Sequence, residues 1–116
     1  MKNSFLVLVI SFFSFALAAQ ADITGKWETG EDNTIVEITE KDGVYKGEIF
    51  SSDKEGEEIG RQMIKDVKLD KGKFKGKISP PGMGWKNVEF EREDNTLKVK
   101  VSVAFIKKKF KWTKME

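Results

Sequence analysis

Thr96-Leu97-Lys98-Val99-Lys100-Val101-Ser102-Val103-Ala104-Phe105 is the clearest strand pattern in this chain. Leu97, Val99, Val101, Val103 and Phe105 fall on one parity, and Lys98, Lys100 and Ser102 on the other. A repeat of two belongs to a β-strand, whose successive side chains point to opposite faces, whereas a helix repeats every 3.6 residues. The stretch therefore predicts a half-buried strand with an apolar face and a lysine-bearing face, running from Thr96 to Phe105.

The same period recurs on both sides of it. Downstream, Ile106 to Met115 closes the chain with Phe110 and Trp112 inward. Upstream, Trp85 to Arg92 places Val88 and Phe90 inward, and Glu93-Asp94-Asn95 is the turn between. Lys73 to Ser79 turns Lys73, Lys75 and Lys77 to water and Phe74, Gly76 and Ile78 inward. Met63 to Leu69 is a shorter strand, joined to the last by Asp70-Lys71-Gly72. Val44 to Ser51 carries Tyr45, Gly47 and Ile49 on one face, and Thr34 to Glu40 carries Val36 and Ile38 inward. Between these two, Lys41-Asp42-Gly43 reads as a tight hairpin, since Asp-Gly tolerates the positive φ such turns demand. Ile23 to Glu28 surrounds Trp27 as the first strand. Ser52 to Gly60 is polar, acidic and glycine-containing, hence a loop, and Pro80-Pro81-Gly82-Met83-Gly84 cannot continue a ladder.

About eight strands with short connections and one wet face each cannot lie flat, because the apolar face of the sheet would stay exposed. The predicted fold is all-β: a small antiparallel up-and-down barrel, one domain over residues 22–116. The inward set is Trp27, Val36, Ile38, Phe74, Ile78, Val88, Phe90, Val99, Val101, Val103, Phe105, Phe110 and Trp112.

Residues 1–21 read differently. Lys2 precedes an apolar run from Phe5 to Ala19 broken only by Ser11 and Ser14, and Ala19-Gln20-Ala21 supplies the small residues a signal peptidase reads. About fifteen residues at roughly 1.5 Å each make a helix of about 22 Å, short of the roughly 30 Å hydrocarbon core. A cleavable signal-peptide helix is predicted, with cleavage after Ala21, a mature chain from Asp22 in the periplasm or outside a bacterial cell, and no membrane-spanning segment left after cleavage.

The chain holds no Cys and no His. That excludes thiol nucleophiles, imidazole bases and thiolate or imidazole metal sites. It also leaves the domain without disulfides, so a well-closed sheet must supply stability. Charge is split along the sequence: residues 22–60 carry twelve Asp/Glu and four Lys, a net of −8, and residues 61–116 carry sixteen Lys/Arg and seven Asp/Glu, a net of +9. Two readings follow: cross-strand neutralisation between the halves, or a basic face that meets an anionic ligand, lipid headgroup or partner.

Gly25-Lys26-Trp27 on the first strand resembles the opening of lipocalin-like barrels, in which the Trp packs across the closed end. Ile35-Val36-Glu37-Ile38, Tyr45-Lys46-Gly47-Glu48-Ile49, Gly56-Glu57-Glu58-Ile59-Gly60, Met63-Ile64-Lys65-Asp66-Val67, Leu97-Lys98-Val99 and Trp112-Thr113-Lys114 extend the likeness. In this order they resemble the uncharacterised bacterial secreted family known as domain of unknown function 2147, across Ile23 to Lys114. The resemblance implies a signal peptide, a small calycin-like barrel and no established activity. Two departures stand out. Ser79-Pro80-Pro81-Gly82-Met83-Gly84-Trp85 replaces the family's Asp-Pro and Gly-Lys-x-Tyr segment, and Lys114 replaces a terminal Arg, which alone can make a planar two-pronged contact.

Catalytic constellations are lacking in the sequence. Ser51, Ser52, Ser79 and Ser102 sit in no nucleophile elbow, and Ser102 shares a solvated face with Lys98 and Lys100, which keeps those lysines protonated. Asp53, Glu55, Glu57 and Glu58 crowd one loop without the spacing of a Ca²⁺ loop. The expected protein is thus non-enzymatic, without a cofactor or metal. It either binds an apolar or amphiphilic small ligand, or it is a module that meets an anionic lipid or an envelope protein. Candidate ligand contacts are Trp27, Tyr45, Met83, Trp85, Phe90, Phe105 and Trp112. Candidate surface contacts are Lys73, Lys75, Lys77, Lys98, Lys100, Lys107, Lys109 and Lys111. Nucleic acid is disfavoured, because the aromatics alternating with these lysines are sent to the opposite face, leaving no stacking ladder.

Overall fold

The computed structural model describes residues 22–115; the predicted leader, residues 1–21, and Glu116 lie outside the described residues. Eight strands follow in chain order: β1 (Gly25–Glu28), β2 (Ile35–Lys41), β3 (Val44–Ser51), β4 (Gln62–Asp70), β5 (Lys73–Ile78), β6 (Lys86–Glu93), β7 (Thr96–Val103) and β8 (Ile106–Lys114). Each pairs antiparallel with the next, and β8 returns to β1, so the sheet is a closed up-and-down barrel. Closure rests on a short seam, Trp27 opposite Lys114 and Glu28 opposite Thr113.

The turns alternate between the two ends. At the lower end the hairpins are tight, and two of them place positive φ at both central residues, Asp42-Gly43 and Lys71-Gly72. This is the turn whose twist matches that of the flanking strands. The longer connections, Thr29–Thr34, Ser52–Arg61 and Ser79–Trp85, gather at the upper end with the β7–β8 turn.

Trp27 seals the lower end. It is fully buried, and its indole Nε1 donates to the Ile23 carbonyl at 3.0 Å. Two cations flank its ring: the Arg92 guanidinium carbon 5.5 Å from the centroid and Lys114 Nζ at 5.2 Å. Both cations also bind the chain below the barrel, Arg92 donating to the Asp22 carbonyl at 2.9 Å and Lys114 to the Thr24 carbonyl at 2.8 Å. Gly25 makes room for this, since a Cβ there would run into the Lys114 side chain. The lysine thus holds the last strand onto the first. The Asp22 carboxyl sits below its ordinary range, chiefly because it accepts the Thr24 backbone N–H at 2.9 Å.

β4 shapes the interior. Ile64 and Val67 lie three apart, so simple alternation cannot turn both inward. Between Lys65 opposite Lys77 and Lys68 opposite Lys75, two residues of β4, Asp66 and Val67, face Gly76 alone. Asp66 takes φ 56°, and the extra residue restores the parity that buries both Ile64 and Val67. Gly47 on β3 and Gly76 on β5 leave the space these side chains fill. Around them pack Val36, Ile38, Ile49, Phe74, Ile78, Val88, Phe90, Leu97, Val99, Val101 and Trp112. Phe90 and Trp112 meet with ring centroids 6.0 Å apart.

One predicted inward residue is overturned. Phe105 is not on β7, which ends at Val103; Ala104 takes φ 54° and starts a two-residue turn. The ring of Phe105 therefore projects fully into solvent. Alternation continued on paper where the chain had already reversed. Val103 and Phe110 keep the predicted side, as cross-strand partners of the inner row, but near the barrel's upper rim; Val103 is half-buried and Phe110 is 40% exposed.

Candidate functional site

Two places were open to a ligand, the interior and the outer wall, and the core residues decide between them. The interior is largely filled. Below the upper rim a cavity of about 110 Å³ remains, walled by Ile49, Met63, Ile78, Val99, Val101 and Trp112. Ligand pockets run from about 300 to 1,000 Å³, so this space holds the end of a chain and not a whole small molecule.

The predicted ligand contacts do not converge on it. Of the seven, Trp112 lines the cavity. Trp27 is the plug at the opposite end. Phe90 is fully buried in the packed middle. Tyr45 packs edge-on against Phe74, with centroids 5.1 Å apart, at the lower end, and burial is the main cause that raises its phenol above the usual range. Met83 and Trp85 stand out from the β5–β6 connection, and Lys65 Nζ lies 4.2 Å from the Trp85 ring centroid. Phe105 is the outermost tip. Ile49 and Met63 were missed as cavity walls, because it takes the bonding of Ile49 to Gly60 and Arg61 across the β3–β4 connection to bring them together at the rim.

The outer wall of β5 to β8 is the more developed feature. Inward Phe74, Val88, Phe90, Val99 and Val101 force their neighbours outward, and half of those neighbours are lysines. Register aligns them into rungs: Lys75, Glu89, Lys100 and Lys109 lie side by side across four strands. A second rung runs Glu91, Lys98, Lys111, with Lys73 on the same open groove of about 370 Å³. A third places Lys77 beside Asn87 on one side and Ser102 beside Lys107 on the other. All eight predicted surface lysines therefore share one wall, against the three carboxylates of β6, Glu89, Glu91 and Glu93.

Neutralisation within this wall is partial. Glu89 is shared between Lys75 at 3.9 Å and Lys100 at 4.0 Å. Glu93, at the lower end of β6, takes Lys98 at 2.7 Å, and that hydrogen bond holds its carboxyl low and the Lys98 ammonium high. Among the described residues Lys73, Lys107, Lys109 and Lys111 form no ion pair. The two charged halves do not cancel either: the ion pairs are local, such as Lys46–Glu48 at 3.9 Å and Lys75–Asp70 at 3.7 Å. The barrel is left with a basic wall on β5–β8 and with its excess negative charge mainly in the upper connections Thr29–Thr34 and Ser52–Arg61, while β1–β3 themselves carry four Glu against three Lys.

The acidic loop is structural at its centre. Glu57 is half-buried and accepts Arg61 Nε at 3.0 Å, while Arg61 Nη1 donates to the Ser79 carbonyl at 3.0 Å and ties the β3–β4 and β5–β6 connections together. Asp53 accepts Asn33 Nδ2 at 2.7 Å. Among the described residues, no three carboxylates come together as a cation site. The role of Arg61 is absent from the sequence pattern, because its partners are four and eighteen residues away on different connections.

No family profile matches the chain, and none of the curated proteins or solved structures compared with it matches.

Proposed function

We propose that this protein is an exported, non-enzymatic binding module that engages a polyanionic surface through the lysine wall of β5–β8. The carrying observation is the alignment of eight lysines on adjacent rungs against three carboxylates, Glu89, Glu91 and Glu93, beside an interior with only about 110 Å³ to offer. A field of that kind raises the encounter rate with an opposite charge and holds it in a salt-dependent way. Export follows from the leader read in residues 1–21, and kinship with the domain of unknown function 2147 family from the Gly25-Lys26-Trp27 opening; both belong to the same proposal.

Retention on immobilised dextran sulfate tests it. The native protein is expected to bind at low salt and to elute as salt rises, with Lys100→Glu and Lys109→Glu eluting earlier. Absence of retention at low salt sinks the reading.

The upper cavity favours one second reading. Its apolar wall of Ile49, Met63, Ile78, Val99, Val101 and Trp112 suits the terminal methylenes of an amphiphile whose bulk stays outside. Native mass spectrometry of protein isolated from its own envelope checks this, and a mass equal to the polypeptide alone counts against it.

A further inference from the structure

The tip of the β7–β8 hairpin, Ala104 to Ile106, projects beyond the barrel wall. The pairing of β6 with β7 ends at Val88 opposite Val101, so the rungs Ser102–Lys107 and Val103–Ile106 are not bonded to β6, although Val103 still packs against the core. On the other side, β1 reaches β8 only at Lys114 and Thr113. The tip is thus a two-stranded finger, capped by Ala104 and Phe105. It presents a fully exposed Phe105 and a 65% exposed Ile106, followed directly by Lys107, Lys108 and Lys109.

Apolar tip and basic collar are spaced in a telling way. At about 3.3 Å per residue, Lys107 to Lys109 stand roughly 3–10 Å back from Ile106 along the strand. That matches the depth of about 5–10 Å to which apolar groups enter the headgroup boundary of a bilayer. Resting on the polyanion-binding reading above, we propose that the partner is an anionic lipid bilayer, into which the finger inserts Phe105 and Ile106 while the lysine wall meets the headgroups.

The rest of the rim agrees. Met83 and Trp85, exposed on the neighbouring β5–β6 connection, lie at the same end, and tryptophan is enriched where apolar and polar layers of a membrane meet. The acidic connections, tied together by Asn33–Asp53 and by Asp53 N–H to the Asp32 carbonyl, occupy the other part of the rim. Anionic headgroups repel that part, so the finger is presented first. A soluble acidic polymer satisfies the lysines but offers Phe105 nothing to enter. A second copy docked edge to edge on β8 places lysine rows against each other, a known device against such pairing.

The test uses vesicles of phosphatidylglycerol and phosphatidylcholine, with dextran sulfate in parallel. Native protein is expected to sediment with anionic vesicles and not with pure phosphatidylcholine. Replacing Phe105 and Ile106 together by Ser is expected to weaken vesicle binding at least about 30-fold, with far-UV circular dichroism and dextran sulfate retention unchanged. Each of Lys107→Gln and Lys109→Gln is expected to weaken it about fivefold. Brominated lipid should quench Phe105→Trp more strongly than the native tryptophans. Vesicle binding that survives the double Ser variant, or a protein that binds dextran sulfate but no vesicle, overturns the bilayer proposal and leaves the polyanion reading intact. Binding to neither overturns both.

Discussion

Replacing Gly76 by Ala is the sharpest probe of how this barrel closes on itself. A Cβ at Gly76 would lie 2.7 Å from Val67 Cα and 2.8 Å from the Lys65 carbonyl oxygen. Ordinary contact begins at 3.4 Å, so both atoms sit about 0.6–0.7 Å too close. Neither belongs to a side chain that can rotate; relief requires β4 to move, and its bulge at Asp66 is what buries Ile64 and Val67. Overpacking of this kind costs about 1–3 kcal/mol. The upper end applies here because backbone must shift, even after the gain of up to about 1 kcal/mol from a less flexible unfolded chain. About 3 kcal/mol is a large share of the roughly 5–15 kcal/mol that holds a domain of this kind together. It predicts a fall in Tm of about 12–24 °C by calorimetry or circular dichroism.

Gly47→Ala supplies the contrast. The three atoms nearest its Cβ would all belong to the Ile64 side chain, at 2.8 to 3.2 Å, so the cost should be nearer 1–2 kcal/mol. Adding Ile64→Val should recover part of the Gly47→Ala loss, whereas Val67→Ala should not rescue Gly76→Ala. A Gly76→Ala protein that melts within about 3 °C of native would refute the reasoning, since it would mean that β4 can retreat without cost.

Three further outcomes follow from other parts of the fold. Lys114→Met should lower stability by about 1–2 kcal/mol in urea titrations, through loss of the bond to the Thr24 carbonyl and of the cation beside Trp27. Asp22 has a lowered carboxyl pKa, so its contribution is present above about pH 4 and disappears as pH falls through the folded value; Asp22→Asn should shrink the stability difference between neutral and acid solution, and an unchanged difference counts against the contact. Ala104→Gly should raise stability by about 0.5–1 kcal/mol, because Ala104 occupies φ 54° where an L side chain is strained; a lower Tm would show that the turn is not strained there.

Much of the barrel was legible from parity alone. Val99 and Val101 inward, Lys98 and Lys100 outward, and the Asp42-Gly43 hairpin need only the pleat of a strand and the φ preference of a residue pair. Eight one-sided strands must then close, for no flat sheet covers its own apolar face. Parity failed at two places, and for one reason: it counts residues without seeing where the chain stops or inserts one. At Phe105 the strand had already turned. At Met63 to Leu69 an extra residue shifted the count, and the facing Gly76 was its only sequence trace.

The lysine wall divides in the same way. That Lys73, Lys75, Lys77, Lys98, Lys100, Lys107, Lys109 and Lys111 face water was determined by their apolar neighbours along the chain. That they stand on adjacent rungs of one wall, with Glu89 between two of them, was decided only by antiparallel register across four strands. So was the size of the interior, because whether Ile64 and Val67 fill it depends on glycines in two other strands. Local alternation sets the direction of each side chain; contact between distant segments sets its company, and binding depends on company.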